Sequence, residues 1–101
     1  MTFDELIKNI TQWADDKGIL SPENAPQQSM KVMEELGETM GAILKRKKTD
    51  EVVDGIGDVF VTVIILSKQL GLDPTMCLES AWNEIKDRKG KTVDGTFIRE
   101  N

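Results

Sequence analysis

The run Val59-Phe60-Val61-Thr62-Val63-Ile64-Ile65-Leu66 decides what this chain can fold into. Its β-branched residues favour a buried strand. The flanking segments "EVVDGIGD" and "SKQLG", however, continue a helical pattern for about twenty residues in all. The spacing therefore predicts a helix from about Glu51 to Leu70, ended by Gly71. Because its second half is apolar nearly all round, that half should be buried. Eight apolar residues are too few to span a bilayer.

The other elements follow the same spacing. Thr2 and Glu5 form a capping-box pattern, and Phe3, Leu6, Ile7, Ile10 and Trp13 make the stripe of a first helix that Gly18 ends. "ILSPENAP" reads as a loop. A second helix is predicted from about Gln27 to about Arg46, with Met30, Met33, Leu36, Met40 and Leu44 along one stripe. "KRKKTD" reads as a solvated turn whose Thr49 or Asp50 can cap the third helix. Asp73 and Pro74 open a fourth helix, with Met76, Leu78, Ala81, Trp82 and Ile85 on its apolar side and Gly90 as its stop. In the tail "KTVDGTFIREN", an Asp-Gly pair between β-prone runs signals a short hairpin. The expectation is an all-α, four-helix bundle-like domain covering residues 1–101, with a short extended or hairpin tail.

Several function classes are excluded by what the chain lacks. With no histidine among 101 residues, Ser-His and Cys-His catalysis and ordinary zinc sites are absent. Any metal must be bound by oxygen, which points to Mg²⁺, Mn²⁺ or Ca²⁺. A net charge of −5 argues against a nucleic-acid polymer as partner. The single cysteine, Cys77, reads as core filler and suits a reducing compartment. "MTFDELIKNITQWADD" is acidic and amphipathic, unlike a signal peptide. These features set the expectation of a cytoplasmic protein without a membrane partner.

Six carboxylates lie in "KVMEELGETMGAILKRKKTDEVVDGIGDVF": Glu34, Glu35 and Glu38, then Glu51, Asp54 and Asp58. At about 100° per residue, each trio falls on one side of its helix. Like charges at this spacing destabilise an isolated helix by a few tenths of a kcal/mol per pair. A solvated face is the ordinary explanation, but three details oppose it. The Asp58 stripe runs on into Val61, Thr62 and Ile65; the Glu34/Glu38 stripe runs into the small residues Gly41 and Ala42; and Gly55 and Gly57 flank the later acids, although glycine costs about 1 kcal/mol inside a helix. Two facing helices presenting carboxylates into a partly buried cleft would need a divalent cation, and Mg²⁺ leaves positions open for phosphate oxygens. Lys31, one turn before Glu34 and Glu35, can pair with a glutamate or reach a phosphate. The cluster Lys86, Arg88, Lys89 and Lys91 either complements a helix dipole or contacts phosphate.

"KVMEELGE" followed by "DGIGDVF" resembles the all-α nucleoside triphosphate pyrophosphohydrolases of the MazG type, especially their short single-domain members in phages and bacteria. The similarity extends through "LGLDPTMCLESAWNEIKDRKGKTVDGTF". The resemblance implies Mg²⁺-dependent hydrolysis (Mn²⁺ as a substitute) of an NTP or dNTP to the monophosphate and pyrophosphate. It makes Glu35, Glu38 and Asp58 metal ligands, and Glu34 a ligand or the catalytic base. Lys31, Asn83, Lys86 and Arg88 become the phosphate-facing positions. Where the family's ExxD would place a glutamate, this chain has Gly55; Asp54 is the nearest substitute as a metal ligand, and Glu51 with Asp54 offers another ExxD. The resemblance also implies a homodimer or homotetramer. Trp13 could stack on a base, although both Trp13 and Trp82 read first as core. The runner-up reading is a non-catalytic helical oligomer that senses nucleotide or metal, or binds a partner protein.

Overall fold

The computed structural model describes residues 1–100. Helix α1 covers Phe3–Asp16, and a 3-10 turn at Pro22–Asn24 leads into α2, Ala25–Leu44. Helix α3 covers Thr49–Gln69 and α4 covers Pro74–Ile85. Strands β1, Gly90–Val93, and β2, Thr96–Arg99, form an antiparallel hairpin. The ambiguous apolar run is thus entirely helical, within α3.

Local chemistry accounts for most of the boundaries. The Thr2 hydroxyl accepts from the Glu5 N–H at 3.1 Å, and the Glu5 carboxylate accepts in return from the Thr2 N–H at 3.4 Å. Asp73 accepts from the Thr75 N–H at 3.0 Å, with Pro74 in the first turn of α4. Gly18 and Gly71, both at φ 72°, follow α1 and α3 in the left-handed region that a glycine enters without strain. The cap expected of Thr49 or Asp50 does not form: both lie inside α3, and Asp50 instead accepts from its neighbour, the Glu51 N–H.

Helices α2 and α3 are the main packed pair, and α1 lies against α3. Helix α4 turns away from α3 by 104° and makes its close backbone approach to α3 alone. The hairpin packs on no helix. A single copy therefore does not close its four helices into a bundle. No single helix is long and apolar enough to cross a membrane.

The core is correspondingly small. Ile7, Ala14, Ala25, Ile64 and Ile65 are its buried apolar residues, joined by the polar Thr39, Thr62, Ser67 and Gln69. The three hydroxyls are satisfied by carbonyls of their own helix: Thr39 donates to Glu35, Thr62 to Val59 and Ser67 to Val63, each at 2.8 Å. Gln69 donates through Nε2 to the Ile19 carbonyl at 3.0 Å and ties the loop after α1 to the end of α3. The second half of α3 is buried only on one side: Ile64 and Ile65 lie in the core as the sequence suggested, but Phe60 and Val63 of the same apolar run stay exposed. Trp13, Trp82 and Cys77, expected in the core, are all exposed, and so is the methionine-rich stripe of α2. Helical spacing marks an apolar face but does not say whether the same chain supplies its cover.

Candidate functional site

The site candidates lie on the α2–α3 pair, and Gly55 sets how closely that pair packs. A Cβ at position 55 would lie 2.7 Å from Oγ1 of Thr39 and 3.3 Å from its Cβ. The threonine thus occupies the space that a side chain would need. The space beside Gly55 is filled by α2 itself, while Gly57 has open space. Eleven residues earlier on α2, Gln28 donates through Nε2 to the Thr62 carbonyl at 3.1 Å. These two contacts fix an antiparallel register that sets Glu35 about level with Asp58 and Glu38 about level with Asp54.

The register also sorts the faces. Around α2, Glu38 and Lys31 fall about 80–100° to one side of Thr39, and Leu36 and Met40 about 60–100° to the other. Around α3, Glu51 and Asp58 fall about 40–60° to one side of Gly55, and Ile56 and Val63 about 80–100° to the other. In an antiparallel pair those offsets bring both acidic sides to the same flank. Glu38 and Glu51 indeed line one open cleft, floored by Gly37, Gly41 and Ala42.

Lys31 is shared by two glutamates, its Nζ 3.6 Å from Glu34 and 3.7 Å from Glu35. Glu35 is the shielded member, with 15% of its side chain exposed against 55% for Glu34. The carboxylates of Glu38, Glu51, Asp54 and Asp58 have no cation within salt-bridge distance among the described residues. They are exposed. Among the described residues, no three carboxylate or thiolate side chains converge closely enough to hold a metal ion. The donor chemistry suits Mg²⁺, since every donor is oxygen, but the rotamers present do not form a finished coordination site.

The remaining candidates divide. Lys31 stands beside the acids. Asn83, Lys86 and Arg88 sit at the exposed end of α4, which does not approach α2, so one copy of the chain does not bring them to Glu35 or Glu38. Conversely, Lys45 and Lys47, read from sequence as a solvated turn, line the same cleft as Glu38 and Glu51. The shortness of the α2–α3 connection was the available signal, because a tight turn folds its own cations back over the helix ends.

Over 72 residues the chain is 42% identical to a protein of Haemophilus phage HP1 (strain HP1c1) described as an "uncharacterized 18.2 kDa protein in rep-hol intergenic region". The match takes in 71% of this chain and 44% of that relative, so the chain spans less than half of the phage protein's length. No family model matches the chain, and no solved structure matches it.

Proposed function

We propose that the chain is a MazG-like hydrolase that cleaves a nucleoside or deoxynucleoside triphosphate to the monophosphate and pyrophosphate, with Mg²⁺ as its cofactor. The observation that carries this reading is the set of four carboxylates without cations, Glu38, Glu51, Asp54 and Asp58, on one flank of a tightly crossed helix pair beside Glu35. A solvated face has no reason to gather acids on the same flank of two packed helices, where they repel. A divalent ion would offset that repulsion and draw triphosphate oxygens to the same flank.

In this reading Glu35, Glu38, Asp58 and Asp54 hold the metal, which supplies charge neutralisation for the triphosphate and a more acidic bound water. Glu34, the more exposed partner of Lys31, is the carboxylate left to orient the attacking water. Lys31, 3.6 Å from Glu34 and 3.7 Å from Glu35, can leave them for phosphate. Asn83, Lys86 and Arg88 contribute phosphate contacts where a neighbouring copy brings the end of α4 to the acids. Position 55 cannot supply a ligand, because Thr39 fills its space; Asp54 or Glu51 takes that part.

The test is product analysis after incubation with Mg²⁺ and a panel of NTPs and dNTPs, with Asp58→Asn in parallel. The reading expects monophosphate and pyrophosphate from the wild type and none from the variant. Diphosphate and orthophosphate would place the attack at a different phosphorus. The sensor reading is favoured by one observation, the lack of a converged metal site. A folded protein that binds Mg²⁺ and nucleotide without turnover would establish it instead.

A further inference from the structure

Helices α1, α2 and α3 end in the same backbone motif, but α2 does so on an unfavourable residue. Each end is closed by a pair of bonds running back into the last turn: Gly18 to Asp15 and Ile19 to Ala14 in α1, Arg46 to Ile43 and Lys47 to Ala42 in α2, Gly71 to Lys68 and Leu72 to Ser67 in α3. The first residue of each pair takes a left-handed φ, 72° at Gly18 and Gly71 and 52° at Arg46. Glycine enters that region freely, whereas a residue with a Cβ is strained there. The end of α2 thus keeps a cation where its counterparts carry glycine.

The strained turn decides where its neighbours point. In a continued helix Lys45 and Lys47, two positions apart, would lie on nearly opposite sides. With the chain reversed at Arg46, both line one open cleft, whose other wall is Glu38 and Glu51 and whose floor is Gly37 and Gly41. Among the described residues, none of the four cations from Lys45 to Lys48 has a carboxylate within salt-bridge distance. Helix dipoles do not account for the run. Cations suit the C-terminus of α2, but the same turn leads straight into the N-terminus of α3, which they oppose.

We propose that Lys45 and Lys47 form a diphosphate subsite, which holds the β- and γ-phosphates of a triphosphate lying along the acidic flank. The two walls of the cleft differ in sign. A bare anion is repelled by Glu38 and Glu51 and a bare cation by the lysines, whereas a diphosphate chelating its own divalent cation suits both. A Cβ on Gly37 or Gly41 would meet nothing within 4 Å, so the floor is open to such a ligand. Unlike Asn83, Lys86 and Arg88, these lysines stand beside the acids within one copy of the chain. The subsite also gives the ligand a direction, with its diphosphate end at the turn and its nucleoside end away from it. The assignment rests on the triphosphate reading of the flank and adds which residues hold which end.

Isothermal titration calorimetry of the full chain with inorganic pyrophosphate and Mg²⁺ tests it apart from catalysis. The wild type should bind, and Lys45→Gln combined with Lys47→Gln should weaken binding about ten-fold, the worth of two partly solvated charge contacts. Arg46→Gln combined with Lys48→Gln removes the same charge from the same turn but outside the cleft lining, and should weaken it less than about two-fold. All four side chains are exposed, so both variants should keep the fold. A wild type that does not bind pyrophosphate overturns the proposal, and so does an equal loss in the two double variants. A nucleoside monophosphate whose binding falls as far as that of pyrophosphate also overturns it, since the lysines would then hold the other end. If pyrophosphate binding falls as expected while no nucleotide is cleaved, the subsite stands and the hydrolytic reading falls.

Discussion

Thr39 occupies the volume that a side chain at position 55 would require: a Cβ on Gly55 would meet its Oγ1 at 2.7 Å. Thr39 cannot easily give way, because it is only 5% exposed and its hydroxyl is bonded to the Glu35 carbonyl at 2.8 Å. The carbonyl it uses belongs to a candidate metal ligand. The crossing at Gly55 thus also holds the turn of α2 that carries the acids.

This contact separates two glycines of the same helix. Alanine at Gly57 meets nothing within 4 Å and should stabilise the fold by about 0.5–1 kcal/mol through helix propensity. Alanine at Gly55 gains the same propensity but forces the helices apart, for a net loss of about 1–2 kcal/mol. Urea denaturation of the two variants should shift the midpoints in opposite directions. Equal shifts would mean that the α2–α3 crossing is looser than described.

Glu38 and Asp58 are expected to trade stability for binding. Without metal, Glu38→Gln and Asp58→Asn should leave the fold unharmed or stabilise it by a few tenths of a kcal/mol, since each removes one like charge from a shared flank. With Mg²⁺ at about ten times its dissociation constant, the wild type should gain about 1.4 kcal/mol and the variants much less. Thermal melts with and without Mg²⁺ check this. A wild type that Mg²⁺ does not stabilise would leave the acids as a solvated face.

Gln69 should behave as a tie rather than as filler. Gln69→Ala loses the bond to the Ile19 carbonyl and opens a cavity, at a cost of about 2–4 kcal/mol. Gln69→Met keeps the volume and also removes Oε1, which has no partner among the described residues. Its cost should therefore stay near 1 kcal/mol. Chemical denaturation of both variants gives the comparison.

How much of this could be read beforehand differs by element. Caps and stops are local chemistry, so Thr2, Gly18, Gly71, Asp73 and the Asp94-Gly95 pair all announced themselves. The helical reading of Val59 to Leu66 needed only its flanks. The acids could be placed on their helices by periodicity. Their alignment could not, because it depends on Gly55 meeting Thr39 and Gln28 meeting Thr62, which are contacts between residues 16 and 34 positions apart. The exposure of Trp13, Trp82 and Cys77 escaped for a related reason: an amphipathic pattern is the same whether its cover comes from the same chain or from another.

The hairpin gives the most local prediction. Asp94 at φ 50° and Gly95 at φ 78° form a two-residue turn between Val93 and Thr96, and both sit in the left-handed region. Gly95→Ala puts a Cβ where it costs about 1 kcal/mol, enough to fray two four-residue strands. Because the hairpin packs on no helix, that cost should not reach the global melting transition. Hydrogen exchange should therefore accelerate at the paired amides between Gly90 and Arg99 while those of α3 keep their protection. If Gly95→Ala instead lowers the melting temperature of the whole protein, the hairpin must be docked on another surface, and a neighbouring copy is the surface to examine.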